Sequence, residues 1–396
     1  MLKHSRHTGR LATDTPAAAG EHATMYVAFE LGVKKWKLGI VRPDRQRLSR
    51  YPIAGGDIEA AWRLICRERA KAEKQLGGPV RIVSCYEAGY DGLWLHRWLE
   101  EHGVENRVLD PASLPVNRRQ RRAKTDRLDL EQLIVAVIRH EQGDRLACRV
   151  VHAPTVAQED ERCLWRERDR LRKERTAHVN RIKGLLHGQG VRGAQPRRKG
   201  FCTWLQTVRT GDGHDLPPHL LAELAREHAR LMLVQQQMAQ IEAQAAAARK
   251  AAVPGSMAAR VEQLIQLDSV GPDSGHTLVG EVFWRDFKNR RQVGSYFGLT
   301  GTPYDSGESV REQGISKAGN PRARTTAIQL AWLWLQHQPD SALSRGFKQR
   351  VADQKGVIKR IAIVALARKL MVALWRFLTL GVVPEGATLR TAAAHR

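Results

Sequence analysis

An amphipathic helix that begins at Asp126 is the strongest constraint on how this chain can fold. Apolar residues recur along one face of it, at helical spacing: Leu130, Leu133, Ile134, Val137 and Ile138. Because this face must pack on another layer, Asp126 and Asp129 are expected together at the edge of the contact. The alternative is that both are ordinary first-turn acids, favoured there by the helix dipole.

The segment before this helix alternates strands and helices. Apolar runs and turn residues predict strands at 26–32, 37–42, 48–53, 80–87 and 107–109, with helices at 58–75 and 91–101. This order is typical of a mixed α/β layer fold. Glu30 lies near the end of the first strand and Glu87 at the end of the fourth.

Neighbouring strand ends and a crossing helix can bring Glu30, Glu87, Asp126 and Asp129 to one point. Four carboxylates repel one another unless a cation such as Mg²⁺ or Mn²⁺ lies between them. Two such ions about 4 Å apart can assist phosphodiester cleavage. The competing interpretation is that each acid is a solvated residue at a strand or helix end.

The charge balance points to a polyanionic partner. The 396 residues include 65 Lys and Arg against 41 Asp and Glu, a formal net charge of +24. No membrane partner is expected, because the most apolar late run, 361–380, is interrupted by Arg368, Lys369 and Arg376. The five cysteines have no ligand-like spacing, which indicates reduced thiols in a cytoplasmic protein.

Two long helices are predicted in the middle of the chain, at about 160–183 and 219–252, joined by a glycine-containing loop. The first has a sparse apolar seam, and the apolar residues of the second recur at nearly heptad intervals, so we expect an antiparallel coiled-coil arm. The first helix is more basic than solubility requires, which favours an arm that faces nucleic acid and also dimerises. A solvated charged spacer is the alternative.

The last third contains a polar loop at 304–309, in which Ser306 precedes a glycine, and then helices at 327–335 and 357–380. A loop serine is by default a turn residue. Basic and polar residues here and beside Asp126 are candidates for nucleic-acid binding. They are Lys124, Arg127, Arg311, Lys317, Asn320, Arg322 and Arg324.

Several short motifs resemble the IS110-family transposases. Val-Ala-Phe-Glu at 27–30, Tyr-Glu-Ala-Gly at 86–89 and Lys-Thr-Asp-Arg-Leu-Asp at 124–129 resemble the family's DEDD motif, although the family usually has aspartate where this chain has Glu30. The C-terminal matches are Leu-Ile-Gln-Leu-Asp-Ser-Val-Gly-Pro at 264–272, Phe-Gly-Leu-Thr at 297–300, Tyr-Asp-Ser-Gly at 304–307 and Gly-Ile-Ser-Lys-Ala-Gly-Asn at 314–320. The resemblance extends from about residue 25 to 382.

This resemblance implies a fold and a domain order. It implies an α/β RNase H-like (RuvC-like) domain at 25–150, a central helical coiled-coil arm at 151–255 and a mainly α transposase domain at 256–384. Residues 1–24 are expected to be a disordered basic tail, and residues 385–396 a second disordered tail.

The resemblance also implies a mechanism and partners. Glu30, Glu87, Asp126 and Asp129 would hold Mg²⁺ or Mn²⁺, and Ser306 would form a covalent bond to DNA. The expected partners are donor and target DNA, a structured noncoding bridge RNA, and further copies of the chain in a dimer or tetramer. The setting would be the prokaryotic cytoplasm, at the nucleoid.

Two other functions remain open from the sequence. One is a RuvC-type metal-dependent nuclease without covalent chemistry. The other is a catalytically decayed protein that only binds nucleic acid.

Overall fold

The computed structural model describes residues 23–45, 47–114, 126–306, 309–352 and 356–390, with backbone alone for 126–128, 304–306 and 309–313. Residues 1–22 of the tail predicted at 1–24, Lys124, and the side chains of Asp126, Arg127, Ser306 and Arg311 therefore lie outside the described residues. Residues 23 and 24 belong to a strand and not to a disordered tail. The chain divides into two compact units, residues 1–153 and 154–396.

The N-terminal unit is built on a five-stranded mixed sheet in the order β3-β2-β1-β4-β5. Its strands are β1 (Ala23–Leu31), β2 (Lys35–Val41), β3 (Leu48–Ala54), β4 (Val80–Glu87) and β5 (Glu105–Leu109). β1, β2 and β3 pair antiparallel, whereas β1, β4 and β5 pair parallel. The predicted mixed α/β architecture of this unit is confirmed.

Helices cover both faces of the sheet because its strands alternate two sets of buried side chains. Phe29 and Tyr86 belong to one core, which also takes in residues of α1 (Ile58–Leu76) and α2 (Trp94–Glu101). Ala28 and Cys85, one residue earlier on each strand, belong to a second core with α3 (Asp126–Glu141). The apolar stripe of α3 thus faces the sheet, as predicted.

The described part of the C-terminal unit is mostly helical. Its helices are α4 (Val156–His187), α5 (Phe201–Leu205), α6 (Pro218–Lys250), α7 (Met257–Ile265), α8 (Pro272–Leu278), α9 (Arg290–Tyr296), α10 (Pro321–His337), α11 (Ala342–Val351) and α12 (Val357–Leu380). A π-helical turn, Val279–Phe283, follows α8 directly.

The two long helices α4 and α6 pack against each other in antiparallel orientation, as the heptad-like spacing predicts. His178 meets Glu227 at 2.7 Å, and Arg168 meets Glu242 at 2.7 Å, so positions later on α4 face positions earlier on α6. Trp165, Leu171, Val234 and Met238 form part of an apolar seam between them. The segment that connects them, which includes α5, adds Val191, Phe201 and Leu205 to a second small core at the far end.

A β-hairpin interrupts the helices of the C-terminal unit. β6 (Gly301–Ser306) pairs antiparallel with β7 (Ser309–Ile315), and Ser306 is paired with Ser309. The sequence predicts a polar loop here, and that prediction is wrong, since Ser306 is the last residue of a strand. Helices α7, α8, α10 and α12 form a large core. Phe297 and Leu299, just before the hairpin in the sequence, belong to it.

Residues 385–390 differ from the predicted disordered tail. The Asp268 N–H donates to the Thr388 carbonyl at 3.1 Å, and the Arg390 N–H donates to the Gln266 carbonyl at 2.7 Å. The Gln338 side chain also donates to the Thr388 carbonyl at 2.9 Å. These hydrogen bonds hold the segment on the turn between α7 and α8, because that turn supplies backbone groups that no helix uses.

Across the described residues, no helix is both long and apolar enough to cross a membrane. All five cysteines fall in the described ranges, and each is a free thiol.

The packing of α3 on the sheet gives a stability prediction. Leu130 is 1% exposed, so Leu130→Ala should lower the free energy of unfolding by about 2–5 kcal/mol, because it removes a buried side chain and leaves a cavity. Leu146→Ala is the matched control, since Leu146 is 94% exposed. Urea unfolding followed by circular dichroism measures both. Equal stability of the two variants would contradict the packing described for α3.

Candidate catalytic site and nucleic-acid interface

Glu30 and Glu87 lie side by side at the ends of two neighbouring parallel strands. Phe29 of β1 is paired with Tyr86 of β4, and each glutamate is the next residue of its strand. Side chains alternate along a strand, so both glutamates follow Ala28 and Cys85 onto the face that α3 covers. Glu30 is partly buried and Glu87 is exposed.

Two contacts fix the direction in which α3 crosses β4. Near the end of α3, Glu141 accepts a hydrogen bond from Arg81 at 3.1 Å. Four residues later on β4, the Cys85 thiol donates to the Leu133 carbonyl at 3.6 Å. The eight residues of helix between these contacts span about 12 Å. The four residues of strand span about 13 Å, so α3 runs antiparallel to β4.

The same geometry shows how far along β4 the two aspartates of α3 lie. Asp129 lies one helical turn, about 6 Å, before Leu133, and Glu87 lies two strand residues, about 7 Å, beyond Cys85. Asp126 stands one turn before Leu130. A Cβ added at Gly39, the residue paired with Ala28, would be 3.5 Å from the Leu130 side chain. The start of α3 therefore extends toward the strand ends that carry Glu30 and Glu87.

Three of the four predicted carboxylate side chains are described, those of Glu30, Glu87 and Asp129. Within the described ranges, no three His, Cys, Asp or Glu side chains are close enough to hold a metal ion. The donor set is the oxygen-only set that Mg²⁺ and Mn²⁺ prefer, and the backbone brings its members to one edge of the sheet. Closing a site there requires the side chain of Asp126 or a rearrangement of the other three.

Lys37 is a charged neighbour of this edge that the sequence reasoning missed. It is paired with Glu30 across β1 and β2, and it interrupts the apolar strand Lys-Trp-Lys-Leu-Gly-Ile-Val. Directly paired residues share one face of a sheet, with Cβ atoms about 5 Å apart. An ammonium group at this distance reduces the repulsion among the carboxylates.

Ser306 lies at the far end of the hairpin. At the other end, residues 298–300 and 316–319 form a neck in which the two backbone segments are bonded to each other. The Ser316 N–H donates to the Thr300 carbonyl at 2.8 Å, and the Lys317 N–H donates to the Gly298 carbonyl at 3.2 Å. Gly298 has φ +65°, and a Cβ on Gly319 would be 2.4 Å from the Gly298 nitrogen. The two segments of the chain are therefore in direct backbone contact. From Gly301 to Ser306 the strand extends about 17 Å beyond this neck.

Of the seven predicted nucleic-acid contacts, Lys124 and the side chain of Arg127 lie outside the described residues, and the other five fall into three groups. Lys317 and Arg324 are at the neck, where Arg324 donates to the Lys317 carbonyl at 3.0 Å and Lys317 is exposed. Arg311 is paired with Tyr304 in the hairpin. Asn320 and Arg322 are partly buried, and both bond to the Glu281 carboxylate.

Glu281, in the π-helical turn, gathers three basic or amide side chains around one buried carboxylate. It is 3% exposed and accepts two hydrogen bonds from Arg166 of α4, both at 2.9 Å. Arg322 donates to it at 2.7 Å and Asn320 at 2.9 Å. Arg322 also donates to Asp169 at 2.6 Å and to the Trp165 carbonyl at 3.1 Å. The cluster therefore joins α4 to the start of α10.

Burial alone would raise the pKa of Glu281, but its surroundings reverse the effect. The hydrogen bonds and charge of Arg166, together with Asn320 and Arg322, lower the pKa of Glu281 to about 2. The carboxylate is thus ionised at every physiological pH. Sequence reasoning missed this residue, although a single acid inside the apolar run Leu-Val-Gly-Glu-Val-Phe-Trp at 278–284 is a signal that could have indicated it.

Comparison with known proteins gives a consistent result. Residues 261–344 match the model described as "Transposase IS116/IS110/IS902 family". A putative transposase, y4rJ, of Sinorhizobium fredii is 44% identical over 375 residues, which cover 93% of this chain and 95% of the relative. The transposase for insertion sequence element IS1111A of Coxiella burnetii is 28% identical, over 65% of this chain and 67% of the relative. A probable family 20 transposase of Pseudomonas aeruginosa is 28% identical, over 67% and 75% respectively.

The Glu281 cluster predicts a pH-dependent stability difference. Because the pKa of Glu281 falls from 4.5 to about 2 on folding, its contribution is complete above about pH 4.5 and declines as the pH falls toward 2. The difference in melting temperature between the unmodified protein and Glu281→Gln should be constant from about pH 7 to 5 and should shrink below that range. Calorimetry measures it. A difference that stays constant down to about pH 3 would contradict the assignment.

Proposed function

Since the chain belongs to the IS116/IS110/IS902 family of transposases and is a transposase of an insertion sequence, we propose that it cuts and rejoins DNA through a covalent bond to Ser306. The observation that carries this proposal is the position of Ser306 at the end of a rigidly anchored hairpin, inside the segment that matches the family. A residue that attacks a phosphodiester has to be held in one place and one orientation relative to its target.

The proposed reaction conserves the number of phosphodiester bonds. The Ser306 oxygen attacks the phosphorus of a DNA strand, so an oxygen–phosphorus bond to serine forms while the bond from phosphorus to one deoxyribose oxygen breaks. The serine gives up its proton and the departing oxygen takes one up. A hydroxyl of a second strand then reverses the step, and no external energy source is needed.

Glu30, Glu87, Asp126 and Asp129 are the residues that would hold Mg²⁺ or Mn²⁺. The register of β1 with β4 and the course of α3 support this set, because they bring the four positions to one edge of a sheet. The N-terminal unit is compatible with an RNase H-like, RuvC-like domain. When bound, the ion would lower the pKa of an attacking oxygen and offset charge on the phosphate. Lys37 would keep the carboxylate edge from repelling the DNA backbone.

The basic arm supports a nucleic-acid partner. Arg170, Arg172 and Arg181 of α4 are 50–73% exposed, and the whole chain carries a net charge of +24. We assign this face to a structured bridge RNA that pairs with donor and target DNA, and we expect the active particle to be a dimer or tetramer in the cytoplasm. Phosphate binding by such a surface weakens steeply as salt rises.

A metal-dependent nuclease without covalent chemistry is the second candidate. It is favoured by one observation: the four carboxylates all belong to the N-terminal unit, which has its own sheet and core, whereas Ser306 belongs to the other unit. The two candidates differ in the fate of the cleaved strand.

A covalent-trapping assay separates them. Full-length protein with its co-purified RNA, Mg²⁺ and labelled element-junction and target DNA should give a labelled protein–DNA adduct on a denaturing gel. Ser306→Ala should abolish the adduct because it removes the attacking oxygen, and Asp126→Ala should reduce it by about a hundredfold or more. Ser295→Ala, in α9 outside the hairpin, is the matched control and should leave the adduct intact.

Free cleaved DNA that survives Ser306→Ala would establish the nuclease and overturn the proposed nucleophile. Intact nucleic-acid binding without any cleavage, in the unmodified protein as well, would indicate a protein that only binds.

Metal binding is predicted separately from activity. Mn²⁺ binding, followed by electron paramagnetic resonance of the free ion, should weaken by about tenfold or more in Glu87→Gln and in Asp129→Asn, because each loses a carboxylate ligand. Asp144→Asn is the control, since Asp144 lies beyond the opposite end of α3 and pairs with Arg139. Equal Mn²⁺ affinity in all three variants would contradict a metal site at this edge of the sheet.

A further inference from the structure

The Glu281 cluster has one side on the arm and the other on the neck of the Ser306 hairpin. On the arm side, Arg166 holds both carboxylate oxygens at 2.9 Å, and Arg162 lies 3.7 Å away. On the neck side, Asn320 and Arg322 hold the same two oxygens. One carboxylate is therefore the shared partner of α4 and of the start of α10.

Asn320 connects this cluster to the hairpin through the backbone. Its side-chain oxygen accepts hydrogen bonds from the Arg322 and Ala323 N–H groups and so caps α10. Its own N–H donates to the Tyr296 carbonyl at 3.0 Å, at the end of α9. Gly319, the residue before it, is in backbone contact with Gly298. Only two residues then separate Gly319 from Ser316, whose N–H is bonded across the neck to Thr300.

We infer that Glu281 is a positioning residue for the hairpin, which holds Ser306 at a fixed place relative to the arm. The inference rests on the proposed role of Ser306. Nucleic acid bound along α4 and the serine at the hairpin end would then be held in one geometry by a single buried carboxylate. Glu281 itself touches no DNA, because it is closed in by α4 and α10.

The chemistry of the cluster suits positioning better than simple stabilisation. A buried ion pair adds little net stability compared with apolar packing, because both charges lose their hydration. A guanidinium that holds both oxygens of a carboxylate, however, fixes the distance and the angle between the two elements that carry them. The π-helical turn at Val279–Phe283 aims the Glu281 side chain between α4 and α10, and such turns are frequent at functional sites.

Spin labels can measure this geometry without any catalysis. Labels at Arg170→Cys on α4 and Glu312→Cys on β7, in full-length protein with the exposed Cys163 and Cys202 replaced by serine, report the distance between arm and hairpin. We expect one narrow distance distribution that broadens in Glu281→Gln and in Arg166→Gln. Because both changes break the same link, the double variant should broaden it no further.

Glu68→Gln is the matched control. Glu68 is a buried carboxylate, 4% exposed, that is held by Arg42 and Lys71, but it lies in α1 of the other unit. Its loss should lower the melting temperature and leave the spin-label distance unchanged. This separates a positioning effect from the general cost of removing a buried ion pair.

The trapping assay adds a kinetic measurement. At saturating DNA and RNA, the rate of adduct formation should fall by about tenfold to a hundredfold in Glu281→Gln, because the serine is no longer held at its target. The DNA concentration that gives half the maximal rate should change by less than about twofold. Glu68→Gln should change neither quantity at a temperature below its melting transition.

A spin-label distribution that stays narrow in Glu281→Gln would overturn the inference. So would rates and apparent affinities that fall together in Glu281→Gln and Glu68→Gln in proportion to lost stability. A distribution that broadens only in Glu281→Gln and Arg166→Gln, in a protein that forms no adduct at all, would uphold the positioning of the hairpin while rejecting Ser306 as the nucleophile.

Discussion

The parallel hydrogen-bonded pairing of β1 with β4 determines the geometry of the N-terminal unit. It aligns Phe29 with Tyr86 and so puts Glu30 beside Glu87 at the sheet edge. Side chains alternate between faces, so a slip of one residue in this pairing would turn one glutamate away from α3. The buried pair Ala28 and Cys85, under the apolar stripe of α3, holds the register, because exposing either side chain would lose core packing.

In the C-terminal unit, a comparable constraint comes from a buried carboxylate instead of from strand pairing. Glu281 can be buried only because Arg166, Arg322 and Asn320 satisfy both of its oxygens. As a consequence, neighbouring polar residues at the neck differ in whether their partners lie within the protein. Asn320 and Arg322 bond to groups within the protein, whereas the Lys317 side chain, at the neck, is exposed.

Much of the fold could be predicted from the sequence because its signals are local. The strand ends at Glu30 and Glu87 and the helix at Asp126 follow from apolar periodicity, and so do the paired helices α4 and α6. The hairpin at 301–315 was missed because Asp305, Ser306 and Glu312 make its strands polar, so no apolar alternation indicates them. Glu281 and Lys37 were missed for another reason: their partners, Arg166 and Glu30, are neighbours only after folding.

The hairpin extends outward from the contact between Gly298 and Gly319, so a small change of angle at this neck becomes a large displacement at the far end of the hairpin. Along a strand of about 17 Å, a tilt of about 10° at the neck carries the far end through about 3 Å, which exceeds the misplacement of about 1 Å that would impair attack by Ser306, the proposed nucleophile. The angular tolerance at the neck is therefore only a few degrees. Two residues without side chains allow the two backbone segments to approach this closely at the neck.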